Sequence, residues 1–179
     1  MTVARANRGA GFSMIEVLVT LVVLDTGLLG LAKMQAAAVS NTQIARVRSL
    51  IALQASSLAS SMYSNRRYWS QGLAPTSFSA AGGVVIDATG VLSAAADCAN
   101  ATCTPDRLAA YDVQTWAKNL NAQFPTYTAT VTCTAPGSAP VNCSINVSWS
   151  EKYVAINRST AMAVPAMAAT QTFTLHAEP

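Results

Sequence analysis

Four cysteines, a carboxylate inside an apolar run and a glycine-phenylalanine junction are the positions whose residue types and spacing could support chemistry in this chain. Cys98 and Cys103 bracket CANATC, and Cys133 and Cys143 bracket CTAPGSAPVNC. Four cysteines allow three connectivities, and the two close pairs favour local disulfides, Cys98 with Cys103 and Cys133 with Cys143. Such bridges persist in an oxidising compartment, so the part of the chain that carries them is expected in the periplasm or outside the cell. Zinc is the alternative chemistry. The first pair falls at the edge of the usual ligand spacing, but the second is far too wide and the lone His176 is distant in sequence. There is no glycine-rich phosphate loop and no carboxylate-histidine cluster, so an enzyme would have to rely on scattered Asp and Ser; neither catalytic residues nor a cofactor are expected. Only 11% of residues are charged, with a formal net charge of +3. Nothing in that distribution resembles the clustered basic face of a nucleic-acid partner.

The carboxylate is Glu16, and the element that must position it is the run Gly11 to Leu31, GFSMIEVLVTLVVLDTGLLGL. At about 1.5 Å per residue, the roughly twenty residues from Phe12 to Leu31 make a helix of about 30 Å, close to the hydrocarbon thickness of a bilayer. The segment before it carries Arg5 and Arg8 and no acid. The positive-inside bias therefore holds the N-terminus in the cytoplasm and sends the remainder outward. A secretory signal peptide has a shorter apolar region with a small-residue cleavage site downstream; here the basic leader precedes the run and ends in glycine. An ionised Glu16 in hydrocarbon costs on the order of 2.5 kcal/mol or more unless it meets a cation.

The junction Gly11-Phe12-Ser13-Met14-Ile15-Glu16 resembles a type IV prepilin signal of the class III kind. The resemblance implies cleavage on the cytoplasmic face between Gly11 and Phe12 by prepilin peptidase, N-methylation of Phe12, and retention of the apolar helix as the assembly element. It also implies that Glu16 faces the new amine of a neighbouring subunit and sets the axial register. Cleavage would remove Arg5 and Arg8, leaving nine basic against eight acidic side chains, a formal charge of +1.

Asp25 is the anomaly of the run, more than half-way along, with no basic residue until Lys33. It either pairs with a partner helix or the assembly platform, or, as preferred from sequence alone, it is protonated, solvated near the outer leaflet or a variant. Gly27 and Gly30 are three apart rather than four, a weak version of the small-residue packing motif.

From Ala32 to about Ser64 the pattern becomes amphipathic, with Ile44, Val47, Ile51, Ala55, Leu58 and Met62 on one stripe. No proline precedes Ala74. The spacing therefore predicts one continuous helix of about fifty residues, its second half the spine on which a sheet packs. Asn65 to Asn100 reads as irregular, with breakers at Gly72, Pro75, Gly82-Gly83 and Gly90 and one short strand at Val84-Val85-Ile86. Arg66, Tyr68 and Trp69 read as residues that close the helix over the edge of the core, with a polymer- or phosphate-binding patch as the alternative. Thr104-Pro105-Asp106 is a helix start with Thr104 as cap, predicting a helix from about Pro105 to Gln123, with Leu108, Tyr111, Asp112, Trp116 and Leu120 at helical spacing. Period-two segments at Tyr127 to Cys133, Cys143 to Trp149 and Thr170 to His176 predict an antiparallel sheet of three or four strands, one face buried and one wet. Ser150 to Ala169 reads mostly as a loop.

The succession CTPDRLAAYDVQTWAKNL resembles the PilV-type minor pilins, the type IV pilus modification proteins. Together the signals imply an α+β, type IV pilin-like fold: a long N-terminal helix, membrane-spanning in its first half, packed on an antiparallel sheet with a second short helix. The expected organisation is a cytoplasmic leader at 1–11, a membrane-spanning assembly helix at 12–32, its amphipathic continuation at 33–64 and a periplasmic globular domain at 65–179. The resemblance implies a subunit of the inner membrane, single-pass before assembly, that joins other minor pilins and the major pilin. It would prime pilus assembly and end near the tip with an adhesin, serving adhesion and twitching motility at the cell surface. The alternatives are a pseudopilin of type II secretion and a tip module that binds a ligand or DNA.

Overall fold

The computed structural model of the chain describes residues 12–134, 140–151 and 169–179. Its first element, α1 (Met14–Ser64), is one unbroken helix of 51 residues. The chain divides into two compact units, one up to Asn41 and one from Thr42 to Pro179.

In the first unit the helix is apolar on every side and uncovered. All described residues from Phe12 to Ala36 are exposed, among them Leu18, Leu21, Val22, Leu28, Leu29 and Leu31. By length and composition this helix is able to cross a membrane.

In the second unit α1 becomes one-sided. Ile51, Ala55, Leu58 and Met62 are fully buried, while Ile44 and Val47 on the same stripe are half-covered. Their spacing of three and four residues keeps them on one face. The helix gives way at Asn65 to a short helix, α2 (Arg66–Trp69). Asn65 is buried, and its side-chain amide donates to the Pro105 carbonyl at 2.6 Å. That bond ties the end of α1 to the start of α3 (Pro105–Gln123).

Five strands follow around α3: β1 (Ser77–Ala81), β2 (Val84–Asp87), β3 (Thr128–Cys133), β4 (Cys143–Glu151) and β5 (Ala169–Ala177). They form one antiparallel sheet in the order β2-β1-β3-β4-β5. The sequence reading missed β1, and with it one strand of the sheet. The β1–β2 hairpin turns on Gly82 and Gly83, whose φ angles of 58° and 79° suit a two-residue turn that side chains disfavour.

Period two sorts each strand by face. Phe78, Ala80, Val85, Ala129, Val131, Ile145, Val147 and Trp149 are buried, whereas Thr128, Thr130, Thr132, Ser144, Asn146 and Ser148 line the wetter side. The buried face joins Ile51 to Met62 of α1 and the inner face of α3 in a single core. On α3 that face is Ala109, Val113, Trp116, Ala117 and Leu120. Of the residues noted at helical spacing, Trp116 and Leu120 lie on this face, while Leu108, Tyr111 and Asp112 are half-buried at its margin. The Trp116 indole donates to the Gln54 carbonyl of α1 at 2.9 Å, and the Tyr127 hydroxyl to the Ala117 carbonyl at 3.0 Å. The result is an α+β fold of a long N-terminal helix, short helices and an antiparallel sheet, consistent with the expected pilin-like architecture.

Candidate assembly site

Helix α1 begins at Met14, just after the Gly11-Phe12 junction. The Ser13 carbonyl accepts the amides of Glu16 and Val17 at 3.0 and 3.3 Å, which closes the first turn. Glu16 lies in that turn, where the unsatisfied amides of a helix start favour a negative charge. Phe12 is 83% exposed. It stands one helical turn before Glu16, so an amine at Phe12 and the Glu16 carboxylate lie at one end of the same helix. Gly11, the residue before the expected cut, falls outside the described residues. Thr20 and Thr26 satisfy their own hydroxyls by donating back to the carbonyls of Val17 and of Val22 and Val23, as hydroxyls do in an apolar setting. The Asp25 side chain has no hydrogen-bond or ion-pair partner among the described residues.

The four cysteines pair locally: Cys98 with Cys103 and Cys133 with Cys143, with Cα separations of 5.7 and 4.0 Å. The second bridge links directly opposed residues of β3 and β4. The first closes the loop leading into α3. Beside it, Asp97 accepts the Ala99 amide at 3.1 Å and the Asn100 side chain at 3.2 Å. Hydrogen bonding from Asn100 and Ala99 holds the Asp97 carboxyl below the usual carboxylate range.

Thr104 is the residue before α3 and Pro105 opens it, as expected, but the Thr104 side chain caps no amide. Its hydroxyl instead bonds the Asp106 carboxylate, the leading reason that Asp106 titrates low. Tyr68 and Trp69 belong to the core. Their rings meet edge to face with centroids 5.2 Å apart, which supports core closure over a surface binding patch. Arg66 instead lies over the Tyr63 ring at 4.8 Å. Asp112 is half-buried, and that burial pushes its carboxyl up. For Asp87, burial pushes upward, but bonds from the Thr89 hydroxyl, the Leu92 amide and Ser93 outweigh it and hold the carboxyl low.

Sequence reasoning missed one cluster. Glu151 is 4% exposed. It receives Arg48 Nε at 3.0 Å, Arg48 Nη2 at 2.9 Å and the Trp149 indole at 3.1 Å. This two-pronged pair fastens α1 to β4. Its signal lay in the strand parity: Cys143, Ile145, Val147, Trp149 and Glu151 share the inward phase, and an inward carboxylate demands a cation.

Among the described residues no group of three or more His, Cys, Asp or Glu is placed to hold a metal. Two hollows among the described residues are open depressions of about 400 Å³. One lies between the Thr89–Ala96 segment and the start of α3, another between Ser56–Tyr63 and the end of β5. Neither gathers an acid, a base and a nucleophile. Comparisons with protein-family models, with curated proteins and with solved structures find no match to this chain.

Proposed function

We propose that the protein is a minor pilin of the PilV type: a subunit cut between Gly11 and Phe12, held in the inner membrane by α1, and assembled with other minor pilins and the major pilin. In that role it primes a type IV pilus and helps to form its tip. The observation that carries this reading is the uncovered first stretch of α1, apolar on all sides with Glu16 in its first turn directly after the Gly11-Phe12 junction. An apolar helix with no cover of its own requires either hydrocarbon or other helices. A carboxylate one turn from a newly made amine gives such helices a way to fix their stagger, since pairing neutralises both charges where each alone is costly. The two bridged cysteine pairs suit a domain on the oxidising side of the membrane.

The test is intact mass and N-terminal sequencing of the protein from sheared surface fibres, beside the same protein from inner membranes. A methylated Phe12 start in the fibre, at low abundance relative to a major subunit, is the expected result. That start found only in the membrane favours a secretion pseudopilin, and an uncut Met1 removes the pilin reading.

A further inference from the structure

We infer that Asp25 is a second assembly contact, on the face of α1 opposite Glu16, and that it takes a neighbouring subunit's membrane helix carrying a lysine or arginine at the same depth. The inference rests on the subunit reading above, in which α1 crosses the membrane from Phe12.

Depth comes first. Asp25 is thirteen residues beyond Phe12, or about 20 Å along the helix axis out of roughly 30 Å of hydrocarbon. The apolar residues Leu28, Leu29 and Leu31 continue beyond it, and the short aspartate side chain cannot reach either interface. Solvation near the outer leaflet, one of the readings preferred from sequence beside protonation and a variant residue, therefore fails on distance.

Its own helix offers no remedy. α1 runs through Asp25 without a break, no described residue pairs with it, and Lys33 lies more than two turns further on. An unpaired carboxylate in hydrocarbon is costly and marks a functional contact.

Direction comes next. At about 100° per residue, nine positions separate Glu16 from Asp25 by about half a turn. Glu16 shares its side with Thr20, Val23, Gly27 and Gly30, and a Cβ built on either glycine meets nothing within 4 Å. Asp25 shares its side with Leu18, Leu21, Leu29 and Ala32, all exposed. A single neighbour cannot serve both faces. A neighbour whose amine meets Glu16 is offset by about four residues, roughly 6 Å, whereas one whose amine met Asp25 would be offset by about 20 Å. The Asp25 face thus calls for a different helix, with its cation partway along the span. Charge complementarity in a low-dielectric setting then selects the partner and its register.

The experiment uses the full chain expressed with its pilus system, comparing wild type with Asp25→Asn, Asp25→Leu and Asp25→Glu. It reads the ratio of fibre to membrane protein, the N-terminus, and recovery of the subunit complex from detergent. The expected result is a fall in incorporation of at least fivefold for D25N and D25L, with loss of the complex and unchanged cleavage, while D25E stays within twofold of wild type. Unchanged incorporation of D25N and D25L overturns the proposal and leaves the subunit reading intact. A D25E loss equal to that of D25N also overturns it, in favour of a shape requirement. Lost incorporation with an intact detergent complex transfers the contact to the assembly platform and overturns the choice of partner. An uncut wild-type chain removes the subunit reading and the proposal with it.

Discussion

Replacing Arg48 by methionine isolates the contribution of the ion pair that fastens α1 to β4, because the long apolar stem remains and only the guanidinium is lost. Glu151 is 4% exposed, and the substitution strips it of donors at 3.0 and 2.9 Å. Removing one partner of a buried pair costs about 3–5 kcal/mol. The Arg48 side chain is 50% exposed, so water re-enters on that side and the lower end, about 3 kcal/mol, is the expectation. For a domain of this size that corresponds to a fall in Tm of roughly 10 °C. Converting both residues, Arg48→Met with Glu151→Met, removes the buried carboxylate together with its guanidinium and is expected to recover at least about 1 kcal/mol over the single change. The assay is urea unfolding of the full chain in detergent, followed by fluorescence of Trp69, Trp116 and Trp149, all of them in the core. An R48M protein within about 0.5 kcal/mol of wild type, or a double variant less stable than R48M, refutes the argument.

Three further outcomes follow from the same physics. Glu16→Ala is expected to leave cleavage and membrane residence unchanged while incorporation into fibres falls; quantitative immunoblots of fibres that show normal incorporation sink the register role. Tyr68 is buried with an unpartnered hydroxyl, and burial, then Asp87 and Asp106, push its pKa from 10.0 up to about 12. A raised folded-state pKa means stability is fully present below pH 10 and lost as pH rises towards about 12, so Tyr68→Phe should flatten that loss. At neutral pH the same change should raise stability by about 1 kcal/mol, because an unmade hydrogen bond is removed; denaturant melts at pH 8, 10 and 12 measure both effects. Cys133→Ser with Cys143→Ser opens a loop of sequence separation 10 and should cost about 2–3 kcal/mol, a figure that calorimetry of the full chain can contradict.

What could be read from the chain alone was whatever local pattern dictates. The Ile51 to Met62 stripe, the helix from Pro105 to Gln123, and the strands around Val131, Ile145 and Phe173 all follow from spacing, and all are present. β1 was illegible because Ser-Phe-Ser-Ala-Ala has weak strand preference; the strand exists because β2 and β3 flank it on both sides. The signal within reach was the Gly82-Gly83 pair, a hairpin turn rather than a mere breaker. The end of α1 at Ser64 was legible from the fading of its apolar stripe, whereas the contact made there, the Asn65 amide on the Pro105 carbonyl, was not, since its partner is distant in sequence. At the candidate assembly site the junction and Glu16 were legible as motif, and the half-turn between Glu16 and Asp25 follows from the continuous helix that the sequence predicts and the structure shows.

The strand order carries a kinetic consequence. β1 and β2 meet across two glycines, and β3 and β4 are stapled by Cys133–Cys143, so both are local closures. The seam between β1 and β3, by contrast, closes only after the whole of α3 has been gathered in. Local loops form early and long ones late. The β1–β2 hairpin is therefore the last part of the sheet to dock and the first to let go. In native-state hydrogen exchange its amides should open together as one unit, at lower free energy than the amides shared by β3 and β4.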